Sequence, residues 1–166
     1  MKRFLLFVSM LSISLGVFTQ CAVPASSSSS AEKLRYIDLG LPSGTKWYAK
    51  NEGGDSARYT YDDAVSKFGN KLPTKEQLEE LKNQCTWTWT GNGYKVVGPN
   101  GNSIYLPAAG YRSCLGNVGF VGSYGNYWSS TPNGSDDACS LYFYSDYVGM
   151  DDVTRCNGLP VRLVQN

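Results

Sequence analysis

The chain changes its hydrophobic pattern along its length, and each change marks a different kind of segment. It opens with a short basic start and an almost wholly apolar run over residues 4–18. Residues 34–39 then alternate apolar and polar side chains, which predicts an opening strand. A region rich in Gly, Pro and Asn follows as far as Gly54, and within it Trp47 is expected to be buried in the core.

Two short helices are predicted in the first half of the chain. Thr60 has the side chain that caps a helix N-terminus, and the helix behind it covers residues 61–68. A second helix over residues 75–83 has a stronger signal, because Thr74 and Gln77 form a capping box.

The pattern from Cys85 onward predicts only strands and turns. Alternation and β-branched or aromatic content indicate candidate strands at residues 86–90, 94–97, 103–106, 127–130, 141–145 and 160–164. Two short helices followed by a β-rich second half predict an α+β fold, with the helices packed on a small, mainly antiparallel sheet and long loops.

Composition narrows the range of functions. The chain has no histidine, which removes the commonest general base and the commonest metal ligand. Its net charge is +1, which provides no electrostatic footprint for nucleic acid. We therefore expect no catalytic residues, no metal site, no cofactor and no nucleic-acid partner.

The surface chemistry of the second half is unusual. No Lys or Glu occurs in residues 96–166, so Tyr, Asn, Ser, Asp and Gly must cover that surface. Leu141 and Phe143 alternate with Tyr142 and Tyr144, and one of these sets must face outward in a strand. Two interpretations are open: a recognition surface, which favours Tyr, or a ladder of tyrosines that stabilises neighbouring strands.

The recognition interpretation assigns a set of candidate ligand-binding residues. They are Tyr124, Asn126, Ser140, Tyr142, Tyr144, Asp146, Tyr147, Asp151, Asp152, Val153 and Thr154.

The N-terminus carries an export signal. A basic start followed by an apolar run predicts a signal peptide over residues 1–20. Cys21 is then positioned for lipidation, whereas cleavage after Ala25 is the alternative. Residues 21–34 are a Ser-rich tether and residues 35–166 a binding domain. We expect an exported lipoprotein, held by its lipid at the outer membrane or cell surface, with the periplasmic face also open.

Several sequence blocks occur in an order that resembles a known family. They are YIDLGLPSGTKW (36–47), LPT (72–74), CTWTW (85–89), LPAAGYR (106–112), YWSST (127–131) and RCNGLPVRLV (155–164). Together they resemble the major paralogous domain lipoproteins of gut Bacteroidetes. The resemblance implies a C-type-lectin-like fold, which is shared with formylglycine-generating enzymes. It also implies similarity to variable proteins of diversity-generating retroelements, in which an error-prone reverse transcriptase randomises adenines.

The resemblance to variable proteins can be checked against the sequence. Randomisation of this kind leaves codons of the form NNC, and such codons cannot encode Met, Trp, Lys, Glu or Gln. Leu141, Phe143, Met150 and Arg155 would then be scaffold. The candidate variable positions all satisfy the exclusion, and they are Cys139, Ser140, Tyr142, Tyr144, Asp146, Tyr147, Gly149, Asp151, Asp152, Val153 and Thr154.

An enzyme of the formylglycine-generating kind requires a closely spaced pair of reactive cysteines. Cys85, Cys114, Cys139 and Cys156 supply no such pair, and they permit three complete disulfide pairings that remain open at this point. The calcium-dependent sugar site of C-type lectins also does not carry over, because residues 127–130 read YWSS.

The sequence thus predicts an exported lipoprotein that displays a C-type-lectin-like domain and binds a macromolecule through a variable surface. The partner would be a protein or glycan on another cell, a phage or a host surface. A fixed component of an envelope or fimbrial complex is the first alternative. An enzyme on the formylglycine-generating fold is the second.

Overall fold

The computed structural model describes residues 36–166. The predicted signal peptide (1–20), Cys21 and the tether up to residue 34 lie outside the described residues, and so do the first two positions of the predicted opening strand. In this described part of the chain, no helix has the length and apolar character needed to cross a membrane.

Both predicted helices form where their capping signals lie. Helix α1 covers Tyr61–Phe68, and the Thr60 hydroxyl accepts the Asp63 amide at 3.3 Å. Helix α2 covers Lys75–Gln84. Its capping box is complete, because the Thr74 hydroxyl accepts the Gln77 amide while the Gln77 side chain accepts the Thr74 amide. Local hydrogen bonds therefore account for where each helix begins.

The strands of residues 36–166 are β1 Tyr36–Asp38, β2 Lys46–Tyr48, β3 Thr86–Trp89, β4 Gly93–Val97, β5 Ser103–Pro107, β6 Tyr111–Arg112, β7 Val118–Gly119, β8 Gly125–Asn133, β9 Asp137–Tyr144, β10 Tyr147–Thr154 and β11 Val164–Gln165. They form four small antiparallel sheets, with orders β1-β2-β11, β3-β4-β5, β6-β7 and β8-β9-β10. This arrangement confirms the predicted α+β class with two short helices.

The short strands β2, β6 and β7 were not predicted, and two further strand assignments differ from the prediction. The predicted strand over residues 160–164 is wrong over most of its length, since only Val164 and Gln165 pair in a sheet. The Leu163 carbonyl accepts the amide of Tyr48 at the end of β2, and the Val161 carbonyl accepts the amide of Glu52 in the segment after it. In contrast, β10 was not among the predicted strands, because Gly and adjacent Asp residues have low strand propensity. Pairing with β9 along its whole length makes it a strand.

The core consists of two clusters of buried side chains. In the first, Leu78 and Leu81 of α2 pack with Trp47, Leu141 and Phe143, and the predicted burial of Trp47 is confirmed. The second gathers residues from α1, β8, β9 and the C-terminal segment: Tyr61, Ala64, Leu72, Trp128, Ala138, Leu159, Val161 and Leu163. The sheet β8-β9-β10 contributes to both clusters from opposite faces, because Tyr127 and Leu141 of the first cluster alternate along the strands with Trp128 and Ala138 of the second. We call the face with Leu141 and Phe143 the inner face.

Gly125 shows how closely β8 packs on that core. A Cβ atom at this position would lie 1.9 Å from Cζ of Phe143, so only glycine fits. The next residue, Asn126, points to the opposite face of the sheet because side chains alternate along a strand. The contact between β8 and Phe143 thus sets the position from which Asn126 projects.

Candidate ligand-binding site

The outer face of the sheet β8-β9-β10 brings together candidate residues from three strands. Asn126 of β8 lies opposite Tyr142 of β9. Tyr144 lies opposite Tyr147 of β10, and Asp151 lies opposite Ser140. Because cross-strand partners point to the same side, these residues share a face that we call the recognition face: Asn126, Tyr142, Tyr144, Tyr147 and Asp151.

The tyrosines of the recognition face contact one another. The Tyr144 and Tyr147 rings stack with centroids 5.4 Å apart, and Tyr142 lies 5.7 Å from Tyr144. Tyr124, which precedes β8, stacks on Tyr142 at 5.7 Å. Aromatic pairs of this geometry contribute about 0.5–1.5 kcal/mol beyond burial. The ladder interpretation therefore describes real contacts, and the same rings leave part of their surface exposed for a ligand.

A cavity of about 490 Å³ opens beside these rings. Seven of the predicted ligand-binding residues line it: Tyr124, Asn126, Tyr142, Asp151, Asp152, Val153 and Thr154. Four further lining residues were not predicted from the sequence: Tyr111, Ser113, Phe120 and Asn157. The cavity thus joins the predicted strand surface to a loop far from it in the chain.

The loop that carries Tyr111 and Phe120, which the sequence did not predict as part of the site, contributes a second aromatic wall to the cavity. The Tyr111 and Phe120 rings stack with an interplanar angle of 11°, and Phe120 meets Tyr124 edge-on at 4.8 Å. Phe120 has a φ of 61°, a left-handed conformation that is strained for a bulky residue. Tyr111 falls in the block LPAAGYR, so the block was one available signal for this wall. Phe120 had no comparable signal, since backbone strain is not visible in sequence.

Three predicted residues lie outside the cavity, at the turn between β9 and β10. They are Tyr144, Asp146 and Tyr147, and the Tyr147 side chain is 47% exposed. Hydrogen bonds from β4 fix the backbone of this turn, because the Tyr94 hydroxyl lies 3.0 and 3.2 Å from the carbonyl oxygens of Tyr144 and Ser145. These side chains are therefore displayed on a fixed backbone rather than on a free loop.

The outward exposure expected for Ser140 is wrong. Its side chain is fully buried, and its hydroxyl donates to the Asp151 carbonyl at 3.3 Å. The reason is that this end of the outer face packs into the second core cluster, whose buried Trp128 and Ala138 flank Ser140. Cys139 and Gly149, which were also candidate variable positions, are buried as well.

Asn126 combines deep burial with unused hydrogen-bonding capacity. It is 7% exposed, it lines the cavity, and its Oδ1 has no hydrogen-bond partner within residues 36–166. A buried polar atom without a partner costs about 1–3 kcal/mol. Such a cost is typical of a group that is reserved for a ligand.

The charge of the recognition face is negative. The ion pair of the described region joins Arg155 to Asp62, so Asp151 has no charged partner there. One Asp151 carboxylate oxygen accepts the Asp152 amide at 2.9 Å, which leaves the other available. Burial, together with neighbouring Tyr124, raises the pKa of Tyr142 to about 12. The Tyr142 phenol is therefore protonated and neutral at physiological pH.

The four cysteines of residues 36–166 divide into one bridge and two free thiols. Cys114 and Cys156 form a disulfide with a Cα–Cα distance of 5.1 Å, which resolves the pairing that the sequence left open. Their neighbours Ser113 and Asn157 line the cavity, so the bridge ties two parts of its wall together. Cys85 and Cys139 are free.

Neither thiol has the environment of a reactive cysteine. Burial raises the pKa of Cys85 to about 11, and burial with the nearby Asp152 also raises the pKa of Cys139. A catalytic thiolate requires the opposite shift. Within residues 36–166, no three Cys, Asp or Glu side chains come together in an arrangement that could hold a metal ion.

The fold and the cavity describe an α+β domain with an aromatic and acidic concave site. Residues 73–164 match the sequence profile of a family described as a domain of unknown function, DUF8237. The match covers more than half of the chain, and the protein belongs to this family. The matched range contains every residue that lines the cavity. No curated protein and no solved structure matches the chain.

Proposed function

We propose that this protein is an exported lipoprotein that displays a C-type-lectin-like ligand-binding domain. Its recognition face binds a macromolecule and is diversified at the exposed positions of β9 and β10 by a retroelement. The lipid on Cys21 holds the domain at the outer membrane or cell surface. The domain binds rather than catalyses.

The observation that carries the proposal is that the two faces of β9 and β10 carry different side chains, with core residues on one face and partly exposed polar or aromatic residues on the other. Leu141 and Phe143 point into the core. Tyr142, Tyr144 and Asp151 point to the other side, and none of the three belongs to a buried core cluster. A rigid sheet of this kind can hold variable side chains without loss of fold, which lowers the entropic cost of binding.

Two features support the C-type-lectin-like and non-enzymatic parts of the proposal. Two short helices followed by small antiparallel sheets agree with the layout that the sequence resemblance implies. The raised pKa values of the Cys85 and Cys139 thiols argue against an oxidative cysteine mechanism.

Sequencing of the gene and its neighbourhood in many sibling isolates tests diversification directly. We expect differences confined to the exposed candidate positions, with NNC codons and a reverse transcriptase gene nearby. The buried candidates Cys139 and Ser140 should vary less than Tyr142 and Asp151, because they have little room for larger side chains. An invariant second half without a reverse transcriptase would refute diversification and favour a fixed partner in an envelope or fimbrial assembly.

A pair of NNC-codon libraries tests whether the side chains of the recognition face are needed for the domain to fold. One library randomises four residues of the recognition face, Tyr142, Tyr144, Tyr147 and Asp151, together with Asp146 of the adjoining turn. Its matched control randomises residues of the inner face of the same strands: Leu141, Phe143, Val148 and Met150. We expect most members of the first to remain folded, because each aromatic contact contributes only about 0.5–1.5 kcal/mol. The control should mostly unfold, since truncating a buried Leu or Phe costs about 2–5 kcal/mol.

The readout is protease resistance of the displayed domain, sorted and sequenced. Equal losses in the two libraries would show that the tyrosines serve as a structural ladder, and the recognition interpretation would fail.

A further inference from the structure

Two acceptor groups of residues that line the cavity have hydrogen-bonding capacity left over. The Asn126 Oδ1 has no partner within the described residues, and one Asp151 carboxylate oxygen is free of the hydrogen bond to the Asp152 amide. Both residues line the same cavity and belong to the recognition face. Because the two ends of an amide group are nearly equal in size, the Asn126 side chain can turn so that its oxygen faces a ligand. The complementary ligand must therefore be rich in donors.

The walls of the cavity are flat and electron-rich. One wall is the stacked pair Tyr124 and Tyr142, and the other is the stacked pair Tyr111 and Phe120. Aromatic faces attract cations, and they also stack on planar groups. Asp151 adds a negative charge that no Lys or Arg of the described region neutralises. The cavity thus has the electrostatics of a cation site without the oxygen cluster that a metal ion requires.

We propose that this cavity takes a guanidinium group, the side chain of an arginine on a protein partner. The planar cation stacks against the Tyr142 ring, while its N–H groups donate to Asp151 and Asn126. A guanidinium is planar, always charged, and has five donors and no acceptor, which matches a site with acceptors and ring faces. An ammonium lacks the plane. A sugar hydroxyl brings both donors and acceptors and no charge. The proposal deepens the proposed binding function and rests on it.

Asp136 provides a matched control for Asp151. Both are exposed aspartates, but Asp136 lies in the turn between β8 and β9 and does not line the cavity. Removing either charge changes the net charge of the protein equally, so only a local role distinguishes them.

The test is an NMR titration of the purified protein with small probes. N-acetyl-arginine methylamide is compared with its citrulline analogue, which has the same shape without charge, and with the lysine analogue and methyl mannoside. We expect the arginine probe to shift the Asn126 side-chain amide and the Asp151 backbone amide. Citrulline should bind at least about ten-fold more weakly, as the loss of a charge-assisted hydrogen bond predicts. Raising NaCl to about 0.5 M should weaken the arginine probe further.

Variants locate the interaction. Asp151→Asn should weaken the arginine probe by about ten-fold or more, whereas Asp136→Asn should leave it within about two-fold. Asn126→Leu should abolish the shift of the Asp151 backbone amide without lowering the melting temperature, because it removes a buried atom that has no partner. A variant that loses binding while it keeps its fold separates a ligand role from a structural one.

Other outcomes would overturn the inference. Equal affinity for citrulline, shifts confined to residues outside the cavity, stronger binding of methyl mannoside, or equal effects of Asp151→Asn and Asp136→Asn would each refute an arginine site. None of these results bears on variation among isolates, so the proposed function would stand or fall separately. Conversely, an invariant gene with a responsive cavity would leave an arginine-binding domain with a fixed partner.

Discussion

Replacing Arg162 with lysine is expected to lower the free energy of unfolding by about 3–5 kcal/mol. Arg162 is 1% exposed, and burial lowers the pKa of its guanidinium. Its Nε and Nη2 donate to the Asn51 Oδ1 at 3.2 and 2.7 Å. Its Nη1 and Nη2 also donate to the carbonyls of Tyr48 and Tyr105 at 2.9 and 2.7 Å.

The network extends beyond the arginine. Asn51 donates to the Tyr127 hydroxyl at 3.2 Å, and that hydroxyl donates to the Pro107 carbonyl at 2.7 Å. Arg162 therefore joins the segment before β11 to β2 and β5, and through Asn51 to β8. A lysine ammonium cannot reproduce the planar fork, so buried acceptors at Asn51 and Tyr105 would lose their donors.

Urea unfolding measures this loss, and Arg155→Lys is the matched control. Arg155 pairs with Asp62 at the surface, where an ion pair contributes about 1 kcal/mol or less. A loss for Arg162→Lys no larger than that for Arg155→Lys would show that the buried network does not carry the stability assigned to it.

Removing the Cys114–Cys156 disulfide is expected to lower the free energy of unfolding by about 3–4 kcal/mol. The bridge closes a sequence separation of 42 residues, so its loss gives the unfolded chain considerable conformational entropy. The fold should persist, because Arg112 and Gly158 still exchange two backbone hydrogen bonds of 2.8 Å beside the bridge. The wall of the cavity at Ser113 and Asn157 should become less rigid.

Urea unfolding of the double variant Cys114→Ser, Cys156→Ser measures the effect, with and without dithiothreitol. The reductant should destabilise the native protein and leave the double variant unchanged, although Cys85 and Cys139 are still present in it. A reductant effect that survives in the double variant would mean that another cysteine pair carries the stabilising bridge.

The helices and the inner positions of the second half could be predicted from the sequence. Thr60 and the Thr74–Gln77 capping box act within one turn, so the residues that decide each helix start are neighbours in the chain. The alternation of Leu141 and Phe143 with Tyr142 likewise needs only the period of a strand. Tyr142, one of the seven predicted ligand-binding residues that line the cavity, faces outward for this reason.

The remaining features could not be predicted because they depend on which segments meet. Ser140 obeys the outward period of β9 yet is buried, since that end of the outer face packs into the second core cluster. Arg162 is charged, and in sequence it gives no sign of burial. Tyr111 and Phe120 reach the cavity only because their loop folds back against Tyr124.

The sequence by itself determined the α+β class, the two helix starts and the separation of core from surface side chains over residues 141–144. Each of these follows from interactions between residues within a few positions of one another. Only the tertiary structure decided three other features: the Cys114–Cys156 pairing, the Asn126 side-chain oxygen without a hydrogen-bond partner in the described region, and the Asp151 carboxylate without a charged partner there. Those features arise from the packing of segments distant in sequence, and burial and partner choice are set there.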